Sequence, residues 1–315
     1  MDTTLKPAAL FRTLLEAIRY FCDPDTATAF LARLCWPDGV TCPTCNRKDP
    51  RYISTRRLWE CRNKHPRRQF SIKVGTIFED SALGLDKWLP AIWMIANCKN
   101  GISSHELARA LGVTQKTGWF MLHRIQLAMQ TGTFKKLSGE VEADETFIGG
   151  KARNMHPGKR KVKGRGPIGK EVVLGILERK GEVRTFHVRD TKRKTIKPKV
   201  LANVESGSDV FTDTLASYVG LSKDYIHQVI NHAERYVDGR IHTNGMENFW
   251  SLFKRGIYGT YVGVAPFHLF RYLDEQTFRF NNREDEDGDG GRFRRVAKAI
   301  VHRRLTYAKL TATLS

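Results

Sequence analysis

Apolar residues recur at helical spacing early in the chain, through Leu10, Leu14, Leu15 and Ile18 and again through Phe30, Leu31 and Leu34. Residues 8 to 35 therefore predict amphipathic helices, and Asp23, Pro24 and Asp25 mark a break between two of them. The period changes over residues 36 to 80, where short strand-like runs alternate with turn residues and most of the cysteines. Helical spacing returns over 86 to 130, with Trp88, Leu89, Ile92, Trp93 and Ile95 forming a wide apolar stripe. From about 138 the pattern turns strand-like: Glu140 to Asp144, then Val172 to Leu177, then Val183 to Val188. A helix around 195 to 205 leads to a fourth strand, Asp209 to Asp213. Another helix, a short strand near Ile226 to Val229 and a long helix from about 243 complete the region. Three strands, then helix, strand, helix, strand and helix, predict a mixed α/β domain with a five-stranded sheet.

Between these elements lie stretches that read as solvated basic segments. Residues 151 to 170 hold eight Lys or Arg with several Gly and Pro, residues 189 to 199 hold six, and the tail after Gly291 holds seven and no acid. The acidic run Glu284 to Asp289 reads as a flexible boundary before that tail. The predicted organisation is a helical segment (1–35), a cysteine-rich module (36–80), a helical region (81–132), an α/β domain (133–283) with a basic insert (151–170), and an acidic loop with a basic tail (284–315).

Cys42 and Cys45 form a C-x2-C pair on a proline-containing turn, and Cys61 and His65 follow as a second short-spaced pair. Two such pairs on facing turns can supply the tetrahedron that Zn²⁺ takes, so a zinc ribbon with one structural ion is predicted. Cys22, Cys35 and Cys98 stand in apolar helical surroundings and read as buried small hydrophobes.

The stretch Ile102 to Leu111 reads as a helix capped by Ser103 or Ser104, Gly112 and Val113 as a turn, and Gln115 to Arg124 as a second helix capped by Thr114. This is the pattern of a DNA-binding helix-turn-helix, in which Gln115, Lys116 and Thr117 would face base edges or phosphates. Charge strengthens that reading. The 315 residues hold 53 Lys plus Arg against 33 Asp plus Glu, a net charge of +20, which favours a polyanionic partner such as double-stranded DNA. The chain has no uninterrupted apolar run long enough to span a bilayer and no signal segment at its start, so a reducing, cytoplasmic setting is expected.

Three carboxylates are placed where catalysis could use them. Asp144 and Asp213 end predicted strands, and Glu247 lies in the first turns of the long helix, with Lys254 two turns on and on the same face. Any one of them alone would more often be a surface group. Carboxylates converging from separate elements can hold two Mg²⁺ or Mn²⁺ ions for an in-line phosphoryl displacement.

Here the chain resembles a known family. The segments Val141 to Lys151, Phe211 to Asp213 and His242 to Arg255 look like those of bacterial insertion-sequence transposases of the DDE class. The likeness is to their ISXO-like group, which carries an N-terminal zinc ribbon. Val74 to Asp80, Gly259 to Tyr261, Arg271 to Glu275 and Arg279 to Arg283 continue it, so it spans about Trp36 to Arg283. The resemblance implies a ribonuclease-H-like catalytic domain preceded by helical, zinc-ribbon and helix-turn-helix modules. It also implies metal on Asp144, Asp213 and a third position, in a protein of the bacterial nucleoid. Glu247 is assigned to that third position, with its neighbours Asn244 and Asn248 as alternatives or as holders of a metal-bound water. Lys254 would contact a phosphate, and Lys159, Arg160, Lys161, Lys163, Arg165 and Arg255 would grip DNA without reading sequence. The implied activity is recognition of terminal inverted repeats, cleavage to free a 3′-hydroxyl, and strand transfer by at least a dimer. A non-catalytic zinc DNA-binding protein, or a nuclease without strand transfer, would share many of these features.

Overall fold

The structure, a computed structural model, describes residues 11–130, 135–150, 169–213, 216–230 and 242–311. Lys159, Arg160, Lys161, Lys163 and Arg165 of the basic insert lie outside the described residues. The chain divides into two units, 1–130 with 282–315, and 131–281.

In the first unit, α1 (Leu14–Phe21) starts at a capping box in which Thr13 accepts from the Glu16 amide and Glu16 returns to the Thr13 amide. Asp23 caps α2 (Pro24–Cys35), which has proline in its first turn. The apolar face read from the sequence is not the buried one. Leu15 and Ile18 are 56% and 43% exposed, whereas Phe11, Ala17 and Phe21 are inside. Aromatic rings decide the rotation of α1: Phe11 and Phe21 join Phe30, Trp93 and Phe293, with ring centroids 5.0–6.3 Å apart. They bury more apolar area than Leu15 and Ile18 could. Cys22, expected to be buried, is exposed at the end of α1, and its thiol donates to the Arg19 carbonyl.

Three short antiparallel strands follow, β1 (Arg51–Ile53), β2 (Leu58–Glu60) and β3 (Gln69–Phe70), in that order. The helices α3 (Leu85–Asn97), α4 (Ser104–Leu111) and α5 (Gln115–Ala128) come next. Gly112 closes α4 in the left-handed conformation, and Thr114 caps α5. A Cβ on Gly118 would lie 2.8 Å from the Ser104 carbonyl, so glycine there sets how closely the two helices pack.

The second unit is built on β4 (Glu140–Ile148), β5 (Glu171–Glu178), β6 (Val183–Val188), β7 (Asp209–Asp213) and β8 (Ile226–Ile230). The sheet order is β6-β5-β4-β7-β8, antiparallel among the first three and parallel from β4 to β7 and β8. β4 runs four residues beyond its predicted end, because Thr146 and Ile148 continue the buried alternation past Asp144. Helix α6 (Arg193–Asn203) lies between β6 and β7. The helix expected after β7 is replaced, among the described residues, by two single 3₁₀ turns, Ala216–Tyr218 and Leu221–Lys223. They are separated by Gly220 at φ +86°, a conformation that ends a helix. Helix α7 (Asn244–Arg255) runs into a π-helical turn, Gly256–Tyr261, and α8 (Leu269–Asn281) follows.

The two faces of β4 have different neighbours. Val141 and Ala143 pack into a core with Leu174, Ile176, Val200, Val210 and Tyr218. The alternate residues Glu142 and Asp144 meet α7: the Met246 amide donates to Glu142 Oε2 at 2.9 Å, and Trp250 Nε1 donates to Asp144 Oδ2 at 3.0 Å. Glu142 is 1% exposed and also accepts from Arg179 Nε at 2.8 Å. Arg179 in turn donates to the His242 carbonyl at 2.8 Å and lies over the Phe211 ring. The start of α7 is thereby tied to β4 and β7. Gly175 pairs with Asp144, and a Cβ there would fall 2.1 Å from Met246 Cε and 2.6 Å from the Trp250 ring.

The chain then returns to the first unit as α9 (Gly288–Lys298) and α10 (Tyr307–Thr311). The flexible acidic loop and solvated tail expected there are not found. Phe293, Val296 and Ala297 are buried, and the acids pair along the turn, Asp285 with Arg295 at 2.6 Å, Asp287 with Arg294 and Asp289 with Arg292. The dense charge conceals an amphipathic helix of only three buried apolar side chains.

If Gly175 sets the distance of α7 from the sheet, Gly175→Ala should destabilise the second unit by about 1–3 kcal/mol through overpacking. Gly259→Ala, where a Cβ would meet nothing within 4 Å, should change stability little. Denaturant unfolding of both variants tests this; equal effects would refute it.

Candidate active site and zinc centre

The second unit brings three carboxylates together. Asp144 and Glu145 of β4 and Asp213 at the end of β7 each place an oxygen within 4.8 Å of the others. The parallel register, Glu142 opposite Phe211, carries Asp213 beside Asp144 two residues on. Glu145 was not singled out from the sequence, because strand alternation sends it to the opposite face from Asp144. β7 ends at Asp213, and the longer glutamate side chain reaches both aspartates there. Glu247, in the first turn of α7, is exposed but lines the same pocket, of about 290 Å³, as Asp144, Glu145, Thr146, Trp250, Ser251 and Lys254. Glu247, Trp250, Ser251 and Lys254 present one face of α7 to it.

The electrostatics are those of crowded acids. Burial, then the Asp213 charge, pushes Asp144 up to about 6 from its usual 3.8. Burial pushes Glu145 up to about 8, with the Asp213 and Asp144 charges adding to it. Both Glu145 oxygens are buried without a hydrogen bond, and the buried Tyr218 hydroxyl facing them makes none of normal geometry. Lys254 is half-buried; burial lowers its pKa, while the Asp144 charge acts in the other direction. Orphaned oxygen donors around a pocket fit a hard divalent cation such as Mg²⁺ or Mn²⁺, which takes oxygen ligands.

Of the other residues singled out from the sequence, Asn244 and Asn248 are exposed on α7 and do not line the pocket. Arg255 is exposed at the end of α7. His242 sits in the Glu142 network, its Nδ1 3.1 Å from Arg179 Nη2 and 3.3 Å from Glu142 Oε1. In the first unit Gln115 and Lys116 are exposed at the start of α5, and Thr117 is half-buried. Gln115 donates to Ser104 Oγ at 2.9 Å, Thr117 and Thr114 share a hydroxyl hydrogen bond, and Lys116 lies over the Tyr307 ring.

Cys42, Cys45, Cys61 and His65 converge in the same manner, with one ligand atom of each within 4.8 Å of the rest. Cys42 Sγ is 3.5 Å from His65 Nε2, and Cys45 Sγ is 3.5 Å from Cys61 Sγ. The Cys42–Cys45 turn closes through the Asn46 amide on the Cys42 carbonyl and the Cys42 amide on the Arg47 carbonyl. His65 Nδ1 sits 2.7 Å from the Pro66 carbonyl, which frees Nε2 to face the thiols. Three thiols and an imidazole are the donor set of a structural zinc site.

Two outcomes test these readings. A carboxyl whose folded pKa is raised costs stability once ionised, so for Asp144 the cost is absent below about pH 4 and complete above about pH 6. With no Mg²⁺ or Mn²⁺ added and no chelator, Asp144→Asn should melt with the wild type near pH 4 and above it at pH 7; a variant less stable at pH 7 refutes this. At the other centre, elemental analysis should find about one zinc per chain, lost in Cys61→Ser. Its removal should unfold the three-stranded sheet, seen as loss of amide protection in β1 to β3.

Comparison with known proteins gives this geometry a family. Residues 136–281 match the ISXO2-like transposase domain, and residues 23–63 match the transposase zinc-ribbon domain, which ends two residues before His65. A protein of the archaeon Halobacterium salinarum, an uncharacterized protein in transposable element ISH50, is 28% identical over 269 residues, 81% of this chain and 90% of its own length. The likeness is thus not confined to bacteria. Two solved structures are also similar, the Mos1 strand transfer complex and a pre-cleavage Mos1 transpososome. Their identities are 13% and 12%, over 64% and 94% of this chain and 71% and 97% of theirs, with TM-scores of 0.25 and 0.26. Those scores carry no argument about fold. The strand-borne acids of the second unit lie within the first match and three of the four zinc ligands within the second, and the chain carries an ISXO2-like transposase domain preceded by a transposase zinc-ribbon domain.

Proposed function

We propose that this transposase binds the terminal inverted repeats of its element and catalyses divalent-metal-dependent strand cleavage and 3′-hydroxyl strand transfer into target DNA. The observation that carries it is the convergence of Asp144 and Asp213 on neighbouring strands, with Glu247 and Lys254 on the rim of the same pocket. The strand order β6-β5-β4-β7-β8, with β5 alone antiparallel to the other four, supports a ribonuclease-H-like catalytic domain.

Asp144, Asp213 and Glu247 would hold Mg²⁺ or Mn²⁺, which when bound activates the attacking oxygen and stabilises the leaving one. The protein supplies the positioning. Trp250 fixes the Asp144 carboxylate by its indole hydrogen bond, and the Glu142–Arg179 network fixes the start of α7 on which Glu247 stands. Lys254, beside Asp144, offers a cation to the scissile or a flanking phosphate. Asn244 and Asn248, exposed next to Glu247, would meet DNA or solvent near the rim.

The first unit would bring DNA to this pocket. Gln115, Lys116 and Thr117 at the N-terminus of α5 suit a groove or phosphate contact, and the zinc centre holds the small sheet that precedes the helices. Lys159, Arg160, Lys161, Lys163, Arg165 and Arg255 would add sequence-independent phosphate contacts, whose strength falls with salt. Cutting two ends requires pairing them, so the active form is at least a dimer on DNA.

Asp144→Asn should lower cleavage of a labelled terminal repeat in Mg²⁺ on the order of a thousandfold or more, while end binding in a gel assay stays close to wild type. A variant that still joins pre-cut ends with Mg²⁺ would overturn the assignment. Wild-type binding with no nicking would instead indicate a non-catalytic DNA-binding protein.

A further inference from the structure

The acids of β4 differ in how their oxygens are served. Glu142 is satisfied by an amide and a guanidinium, and Asp144 accepts from Trp250. Glu145 has two buried oxygens with no partner among the described residues. A carboxylate in that state costs free energy unless a cation or a proton joins it. Tyr218 repeats the pattern: 1% exposed, its hydroxyl is buried, without a hydrogen bond, and turned toward the same acids. Tyr218 faces Glu145, so a buried hydroxyl and a buried carboxylate stand together without a well-formed hydrogen bond, which close packing does not produce for its own sake.

The distances agree. Mg²⁺ and Mn²⁺ ligands stand about 2.0–2.1 Å from the ion, so oxygens across it are about 4.2 Å apart. The Asp144, Glu145 and Asp213 oxygens already lie within 4.8 Å of one another. Glu247 stands on the exposed rim of α7, outside that cluster. Side-chain rotations that draw these oxygens together would complete three positions of a coordination shell, adjacent ones about 2.9 Å apart, with the pocket left open for water and a phosphate.

We propose that Glu145 is a metal-holding residue of this site, contributing the third carboxylate of the ion that Asp144 and Asp213 share, with Tyr218 as the residue that positions it by donating to its outer oxygen. Glu247 is then free to serve the second ion, the one completed by DNA. The proposal rests on Asp144 and Asp213 being the metal-holding pair.

The test uses the full zinc-loaded chain without DNA, titrated with Mn²⁺ alone and read by the electron paramagnetic resonance of the free ion. Glu145→Gln should weaken the tightest Mn²⁺ site about tenfold or more, as Asp144→Asn and Asp213→Asn do, and Tyr218→Phe should weaken it less. Glu247→Gln should leave that site near wild type. Melting of the zinc-loaded chain before Mn²⁺ is added checks the fold: Glu145→Gln should be at least as stable as wild type and should lack the rise in melting temperature that Mn²⁺ gives the wild type. If Glu145→Gln binds Mn²⁺ like the wild type while the aspartate variants do not, Glu145 is no ligand and the aspartate pair stands. If neither the aspartate variants nor Glu145→Gln weaken binding, both the pair and the proposal fall.

Discussion

The second unit depends on one buried charge. Glu142 is almost wholly removed from water, and a carboxylate there is tolerable only because the Met246 amide and Arg179 serve it. Its place at the amino end of α7 adds the attraction of that helix terminus for an anion. The same contact fixes where α7 begins, and so where Trp250 and Lys254, on its next turns, meet Asp144. Gly175 supplies the space in which this happens. The acidic pocket is thus anchored two residues before Asp144, by a pair that does not line it.

The pocket beside β4 and α7 is acidic in a chain of net charge +20. The contrast is a division of labour. Positive charge over the surface draws in a polyanion, whereas the acids gather where a divalent ion can reconcile them with the phosphate. Without that ion, burial first and the neighbouring acids' charges after it make two of them hold their protons well above the ordinary carboxylate range. The zinc centre is the counterpart in softer ligands: thiols and an imidazole around a sheet of eight residues too small to hold itself.

Much of this was legible in the sequence. The strands after Asp144 and the spacing of Glu247 to Lys254 came from period alone, and the zinc ligands from the spacing of two short pairs. What stayed hidden has physical reasons. Glu145 was lost to strand alternation, a rule that holds for the backbone but not for a long side chain at the place where its neighbouring strand stops. Glu142 was not singled out, because nothing local announces that Arg179 will cover it. The face of α1 was misjudged because Leu15 and Ile18 keep the helical period while Phe11 and Phe21 bury more area. Helix α9 reads in the sequence as an acidic loop and a solvated tail, since its three buried apolar side chains are outnumbered by charges.

The first unit is written in two pieces, with the second unit between them. Phe293 belongs to the same aromatic core as Phe11, Phe21, Phe30 and Trp93, although most of the chain separates it from them. A ribosome delivers the whole of the second unit before it delivers Phe293. The order of completion therefore differs from the order of synthesis: the sheet with its acids can close first, and the unit that is begun earlier is finished later.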